Sequence, residues 1–390
     1  MGDAIAKTRI EPATERYAMR CAVDLARRAA GLTAPNPMVG CVLVQVPGII
    51  VGRGWHLGPG TDHAEIMALK EAGDAARGAV AYVTLEPCNH TGRTGPCAEA
   101  LIEAGIREVV YAIADPNPAA AGGAARLREA GVSVRSGLCE EEALALTRAW
   151  RHALAERRPY VVGKTAMSID GRIATASGES QWITSSFSRN AGHRIRWETD
   201  AIIVGAGTVI ADDPALTARP ADVATGKQVI DGERYPLRVV LDSTGRCPPG
   251  ARVFGRIDEN GAKDPAILAA TTGAPRARLD AFREHGVEVL VLPANDSGRV
   301  DLHALLEALY ERDIHHAMVE GGGEVLGAFF DADLLEEITF FIAPRIIGGG
   351  KPALGGGGVA RLADADRFDF KSAEDNGPDL IWTGVRRERT

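Results

Sequence analysis

His63, Glu65, Cys88 and Cys97 stand in the segments Asp62-His63-Ala64-Glu65, Leu85-Glu86-Pro87-Cys88 and Gly95-Pro96-Cys97. Imidazole and thiolate are the donors zinc prefers, and a catalytic zinc keeps three protein ligands and one open position. His63, Cys88 and Cys97 supply the three, for one zinc ion per chain, and two thiolates balance its 2+ charge. Both cysteines read as helix starts, Cys97 directly after Pro96, where the helix end lowers a thiol pKa. Glu65 lies two residues from His63 without being needed as a ligand. It is placed to take the proton of an attacking water and deliver it to a ring nitrogen and a departing amine. The alternative is a closed structural site with His90 as fourth ligand.

The order of these residues lies close to the H-x-E…P-C-x-x-C signature of zinc nucleobase deaminases. The departure is the gap of eight residues between Cys88 and Cys97. Asn36, held between Pro35 and Pro37, joins His56, His90 and Arg93 as expected substrate contacts, Arg93 being suited to a phosphate. Cys21, Cys41, Cys139 and Cys247 read as small buried hydrophobes.

Elements that could position this chemistry alternate along the first part of the chain. Helices are expected over residues 11–30, 64–73, 97–105 and 123–131. Strands are expected over 39–46, 49–55, 79–85, 108–114 and 132–135, which together make an α/β sandwich. A single helix over 140–157, stopped by Pro159, marks the expected boundary between domains 1–157 and 158–390. Beyond it, strands are expected at 160–167, 201–204, 238–241, 267–271, 287–292, 317–319 and 336–342, with helices at 301–311 and 324–331. Residues 221–234 and 256–264 read as polar loops.

The second part offers a glycine segment, Val319-Glu320-Gly321-Gly322-Gly323, between a strand and a helix, a setting that suits a diphosphate. Gly205-Ala206-Gly207-Thr208 lacks the third glycine of a Rossmann fingerprint. Over 390 residues the net charge is −8, with no block of basic residues, so a nucleic-acid partner is not indicated. Neither a signal peptide nor a run of about 20 apolar residues is present, so no membrane partner and a cytoplasmic location are expected. Six cysteines in such a length are no disulfide framework.

Several strings together resemble the bifunctional riboflavin-biosynthesis deaminase/reductase family. They are Pro35-Asn36-Pro37-Met38-Val39-Gly40, His63-Ala64-Glu65, Leu85-Glu86-Pro87-Cys88, Gly92-Arg93-Thr94, Asp115-Pro116-Asn117-Pro118 and Ala166-Met167-Ser168-Ile169-Asp170-Gly171-Arg172. Gly95 departs from the family's usual proline. The resemblance implies an N-terminal cytidine-deaminase-like α/β/α sandwich followed by a dihydrofolate-reductase-like α/β domain. It implies a small phosphorylated pyrimidine as substrate and NADPH as the second cofactor; homo-oligomerisation is left open.

Carried over by position, the family pattern assigns Ala166, Trp182, Thr208, Asp212, Ser243, Gly322, Gly323, Glu324, Val325, Leu326 and Gly327 to NADPH. It assigns Ser180, Arg196, Leu216, Arg219 and Glu320 to the substrate, Arg196 and Arg219 as clamps on a 5′-phosphate. Lys164 and Asp170 are expected near the reductase site as hydrogen-bonding groups or proton donors. Two rival readings are a nucleoside or tRNA-editing deaminase with an unrelated second domain, and a zinc-stabilised scaffold without activity.

Overall fold

The computed structural model describes residues 10–90, 95–220, 236–255, 264–365 and 368–387, and its chain divides into two compact units, Met1–Ala155 and Glu156–Thr390. In the first unit the order is α1 (Pro12–Arg27), β1 (Gly40–Gln45), β2 (Ile49–Trp55), α2 (Ala64–Ala72), β3 (Val80–Leu85), α3 (Cys97–Glu103) and β4 (Glu108–Ile113). There follow α4 (Gly123–Glu129), β5 (Ser133–Ser136), α5 (Glu140–Leu146) and α6 (Arg148–Glu156). The strands form one sheet, β2-β1-β3-β4-β5, antiparallel at β1 with both neighbours and parallel from β3 to β5.

Successive strand residues point to opposite faces, so each strand feeds two cores. Val42 and Val44 pack with Met19 and Ala22 of α1, Ala143 of α5 and Trp150 of α6. Cys41 and Leu43 pack with Ala68 of α2, Leu101 of α3 and Leu127 of α4. The result is three layers, and their double burial explains the near-continuous apolar run of β1. Two glycines permit close approach of the layers. A Cβ on Gly54 of β2 would sit 2.0 Å from the Ala64 carbonyl oxygen at the head of α2. One on Gly123 would sit 1.8 Å from the Pro87 carbonyl oxygen.

The second unit is built on a nine-stranded sheet. It starts with β6 (Tyr160–Ser168), β7 (Arg172–Thr175), α7 (Ser186–Glu198), β8 (Ala201–Gly205), α8 (Ala206–Asp212), β9 (Leu237–Leu241) and β10 (Ala266–Thr271). It continues with α9 (Arg276–Glu284), β11 (Glu288–Leu292), α10 (Leu302–Tyr310), β12 (His316–Glu320), α11 (Gly323–Asp331) and β13 (Glu337–Ala343). The last strands are β14 (Gly350–Pro352), β15 (Phe368–Asn376) and β16 (Asp379–Arg386). The sheet order is β11-β10-β9-β8-β12-β6-β13-β16-β15, with β14 and β7 paired separately. From β11 to β13 every pairing is parallel, and β16 and β15 close the edge antiparallel. Leu305, Leu309 and Phe329 of α10 and α11 cover one face, and Val209, Leu279 and Phe282 of α8 and α9 cover the other.

The chain leaves β6, builds outward from β8 to β11, then returns to insert β12 between β8 and β6. That reversal is a topological switch point, where a crevice opens beyond the carboxyl ends of parallel strands. Gly205 and Glu320 end the two strands that flank it.

The structure departs from the sequence reading in specific places. The helix expected over 140–157 is two helices, broken at Thr147, whose hydroxyl donates to the Ala143 carbonyl at 2.9 Å. Only Cys97 begins a helix; Cys88 lies in irregular chain after β3. Helices α7, α8 and α9 and strands β7, β14, β15 and β16 were not anticipated. Helix α7 is rich in Ser, Arg, Asn and Gly, which masks its period, although Ser185 caps it by accepting from Ser188 N–H. The loop expected at 221–234, and 256–263 of the second, lie outside the described residues.

Candidate active sites

In the first unit, β3 and α2 deliver the metal ligands to one place. His63 precedes α2 at its N-cap, Cys88 follows β3 after two residues, and Cys97 opens α3. His63 Nδ1 lies 3.2 Å from Cys97 Sγ and 3.6 Å from Cys88 Sγ, and the three donor atoms fall within 4.8 Å of one another. Bonds of about 2.0–2.3 Å around a tetrahedral zinc put ligand atoms roughly 3.5 Å apart. The trio therefore fits zinc. His90 is exposed and stands outside this cluster, so no fourth protein ligand closes the site among the described residues.

Charge at the site favours a thiolate. A hydrogen bond from Cys97 holds the Cys88 thiol down at about 4, aided by His63, and the same bond pushes the Cys97 thiol up. Glu65 is buried on the first turn of α2, and its carboxyl reaches Cys97. Burial first, and the Cys88 charge next, raise it to about 7. It can thus hold or release a proton near neutrality.

Around the trio, Asn36 Nδ2 lies 3.0 Å from His56 Nε2, and His56 Nδ1 lies 3.2 Å from the Asp62 carbonyl oxygen. The His56 and His63 rings meet edge to face at 5.4 Å. Burial lowers the His56 pKa, which favours the neutral ring; Nδ1 then donates to the Asp62 carbonyl and Nε2 accepts from the Asn36 amide. Asn36 and His56 are thus brought to the metal trio, while Arg93 lies outside the described residues.

Glu86 was missed by the sequence reading. Its Oε1 accepts from Gly122 N–H at 3.2 Å and Ala124 N–H at 2.9 Å, and its Oε2 from Asp115 N–H at 3.4 Å. This carboxylate ties the segment that bears Cys88 to the loop before α4. Its position two residues from a ligand was the only signal.

In the second unit a cavity of about 1440 Å³ opens at the switch point. On its wall Glu320 receives three charged hydrogen bonds: Lys164 Nζ at 3.1 Å, Arg196 Nε at 2.6 Å and an Arg196 terminal nitrogen at 2.9 Å. Burial alone would raise this carboxyl, but the Arg196 guanidinium and the Lys164 ammonium hold it well below the usual carboxylate range. Arg196 also donates to the Thr217 carbonyl at 3.0 Å. Three of its five donors are committed, which leaves Arg219 as the freer cation.

Beside this cluster the Thr208 hydroxyl accepts from Gly322 N–H at 3.1 Å, fixing the glycine segment against α8. Ala166, Gly323, Glu324, Val325 and Leu216 also face the cavity, as does Ser180, whose hydroxyl reaches Asp212 at 3.5 Å. Trp182 is 61% exposed, its ring covered by Arg189 at 4.6 Å, so it is a cavity wall and not core. Ser243 lines the far end, where its hydroxyl accepts from Val300 N–H at 3.1 Å.

Three expectations are corrected. Leu326 is 1% exposed and packs against Gly163, and Gly327 is closed off by the backbone of Gly355; neither lines the cavity. Leu326 belongs to the apolar face that α11 turns onto the sheet, and Gly327, lacking a side chain, gives the Gly355 backbone room to approach. Asp170 also lies outside it. Its carboxyl accepts from the Ser168 hydroxyl, Ile347 N–H and Gly348 N–H, which hold it at about 2, so it has no proton to give.

His193 of α7 lines the cavity and was missed with its helix. Its Nδ1 lies 2.9 Å from the Thr217 carbonyl oxygen, and burial, with Arg196 adding, pushes it down to about 4. A neutral imidazole therefore stands beside the Glu320 cluster.

Comparison with known proteins places each unit. Residues 12–113 match the model of the cytidine and deoxycytidylate deaminase zinc-binding region, and residues 159–382 match the model of the RibD C-terminal domain. The chain is 40% identical to the riboflavin biosynthesis protein RibD of Escherichia coli, covering 94% of this chain and 98% of the relative. It is 42% identical to the RibD of Mycobacterium tuberculosis over 95% and 97% of the two chains. A solved RibD from Acinetobacter baumannii matches with a TM-score of 0.83 at 35% identity, over 97% of this chain and all (100%) of the other. A diaminohydroxyphosphoribosylaminopyrimidine deaminase/5-amino-6-(5-phosphoribosylamino)uracil reductase from Thermotoga maritima matches at 0.81 and 32%, over 96% and 99%.

Proposed function

Because the chain belongs to the RibD family of bifunctional deaminase/reductases in riboflavin biosynthesis, we propose that its two units divide the two reactions between them. The first, with proposed domain bounds 1–157, deaminates, and the second, with proposed bounds 158–390, reduces. The proposed substrate is 2,5-diamino-6-ribosylamino-4(3H)-pyrimidinone 5′-phosphate. The product is 5-amino-6-(5-phospho-D-ribitylamino)uracil. Six cysteines without disulfides suit a reducing, cytoplasmic setting. Among the described residues no helix is long and apolar enough to cross a membrane.

In the deaminase unit His63, Cys88 and Cys97 would hold zinc. Zinc there supplies Lewis acidity, which makes water nucleophilic near neutral pH. Glu65 does the proton work. The charge of a dication beside it favours its carboxylate, which takes a proton from the incoming water. That proton goes first to the ring nitrogen, and Glu65 then carries one to the amine as the carbon–nitrogen bond breaks and ammonia leaves. Asn36 and His56 form a rigid polar wall that orients the ring; His90 and Arg93 complete the proposed substrate contacts.

In the reductase unit bound NADPH supplies the hydride that converts C1′ of the opened ribose to a methylene. Thr208, which already holds the Gly322 N–H, and the Gly323 backbone would hold its diphosphate, and Ala166, Trp182 and Asp212, which line the same cavity, would flank the nicotinamide half. Glu320, immobilised by Lys164 and Arg196, accepts from ribose hydroxyls, and Arg219 meets the 5′-phosphate.

The observation that carries this reading is the zinc-fitting trio with a buried carboxyl beside it, in one chain with a dinucleotide-sized cavity. The experiment incubates the full chain with the diamino pyrimidinone ribotide, with and without NADPH. Ammonia should form in both cases and the ribityl product only with NADPH. Ammonia without ribityl product at any NADPH concentration would sink the reductase half.

A further inference from the structure

His193 is a cavity-lining group that the two reactions, as assigned so far, leave unused. On α7, Arg189, His193 and Arg196 follow one another at spacings of four and three, so they share one helix face, and all of them line the cavity. The Thr217 carbonyl accepts from His193 Nδ1 at 2.9 Å and from an Arg196 terminal nitrogen at 3.0 Å. Arg219 N–H also lies 3.3 Å from Nδ1. The carbonyl decides the tautomer, because an unprotonated Nδ1 would set two lone pairs against each other 2.9 Å apart. Burial, with Arg196 adding, keeps the ring neutral near pH 7. Nε2 therefore carries a bare lone pair, and it has no partner among the described residues.

The neighbours of the ring select what can meet this lone pair. Arg219 and Glu320 both act on it electrostatically, so it stands within reach of the phosphate end of the sugar and of its hydroxyls. The oxygens of an ionised phosphate ester only accept, so they are no partner for Nε2, whereas a sugar hydroxyl is one. In the closed ribosyl ring the oxygen on C4′ is an ether and has no proton to offer. Opening breaks the C1′–O4′ bond; the proton of the nitrogen on C1′ passes to O4′, and a carbon–nitrogen double bond forms. Hydride from NADPH then adds to C1′, and the nitrogen regains a proton from solvent. A 4′-hydroxyl thus exists only once the ring is open, on the carbon next to the one that bears the phosphate. A contact made only along the reaction speeds it, whereas one made equally to the closed substrate does not.

Resting on the reading that the second unit reduces the ribosyl group, we infer that His193 Nε2 accepts a hydrogen bond from the 4′-hydroxyl created by ring opening, and so holds the substrate in the open form that takes the hydride. The test titrates the full-length protein, without NADPH, with two ligands: the deaminated ribosylamino intermediate and the ribityl product, which always carries a free 4′-hydroxyl. His193→Asn keeps a donor for the Thr217 carbonyl at the place of Nδ1 but removes the acceptor; His193→Gln keeps an acceptor at the place of Nε2. Loss of one hydrogen bond should weaken the ribityl product about tenfold in His193→Asn and the closed ligand at most about twofold. In the same variant kcat for reduction should fall by a similar factor, with KM for NADPH and the rate of deamination unchanged. His193→Gln should recover most of the product affinity. Equal weakening of both ligands, which a purely structural role predicts, or no weakening of the product, overturns the inference. A wild type that forms no ribityl product with NADPH overturns the reading beneath it instead.

Discussion

The two sites are built on opposite plans. The zinc trio uses residues within 34 positions of one another, packed on two helix starts and one strand end, with ligand atoms a few ångströms apart. The reductase cavity is held together by pairs as far apart as Lys164 and Glu320, 156 residues in sequence, across neighbouring strands of one sheet. A metal needs few atoms at fixed distances, and a short motif can encode them. A dinucleotide and a sugar phosphate need a surface, and only the strand order of the whole sheet supplies it.

The sharpest way to break that contrast is to remove one proton-carrying group from the compact site. Glu65→Gln should lower deamination by about 10²–10⁴-fold while zinc content and NADPH-dependent reduction of the deaminated intermediate stay at wild-type levels. Metal analysis and a coupled absorbance assay read the two halves separately. A variant that still deaminates at the normal rate would show that the proton moves by another route.

On the side of the distributed site, Glu320→Ala leaves Lys164 and Arg196 facing each other half-buried without their shared carboxylate. Removing one partner of a buried ionic cluster costs about 3–5 kcal/mol, and reduction should fall to background. Because that variant can fail to fold, Glu320→Gln is the companion: it keeps shape and one acceptor. Reduction lost in a folded Glu320→Gln, with deamination intact, assigns the effect to charge. Full reduction by Glu320→Gln would show that the carboxylate is dispensable.

How much of each site the sequence disclosed follows from the same contrast. His63, Glu65, Cys88 and Cys97 were legible because ligand type and local spacing state the chemistry directly. Asn36 was legible from its flanking prolines, and His56 from its place at the end of a strand. In the second unit Glu320 came from the resemblance and Lys164 from its place near that site; nothing in their local sequence says that their strands are neighbours. His193 was lost because α7 lacks an apolar period strong enough to mark a helix. Leu326 and Gly327 were misassigned because the family pattern was carried over by position through residue 327, although 324–331 reads as helix in the sequence. The helix begins at Gly323; it buries the Leu326 side chain against the sheet and sets Gly327 against the Gly355 backbone.

Glu86 sharpens the comparison from within the compact site. It is not one of the metal-ligand trio, yet its carboxylate holds three backbone N–H groups, one after β4, one before α4 and one in the first turn of α4. Glu86→Ala should weaken zinc retention by about 10–100-fold, the range of supporting groups around metal ligands, and Glu86→Gln by less, since one acceptor oxygen remains. A chelator competition monitored by released zinc measures it, with NADPH-dependent reduction as the internal control. Equal zinc affinity in wild type and Glu86→Ala would mean that the trio needs no such tether.

The smallest expected effect is a slope in stability with pH, and it separates the two units by sign. Glu320 has a folded pKa depressed below its unfolded value of about 4.3, so its ion pairs stabilise fully above that value. The contribution is lost as the pH falls below about 4, toward the folded pKa, because the unfolded chain takes up the proton first. Glu65 is shifted the other way, to about 7, and its burial therefore costs stability above the unfolded pKa and less as the pH falls. Thermal melts of chelator-treated protein between pH 6 and pH 3.5 should show Glu320→Gln losing less stability on acidification than wild type. The difference is on the order of 1–2 kcal/mol. Parallel curves for the two proteins would mean that the Lys164–Glu320–Arg196 cluster keeps its charges in the unfolded chain, and the distributed site would then owe its geometry to the sheet alone.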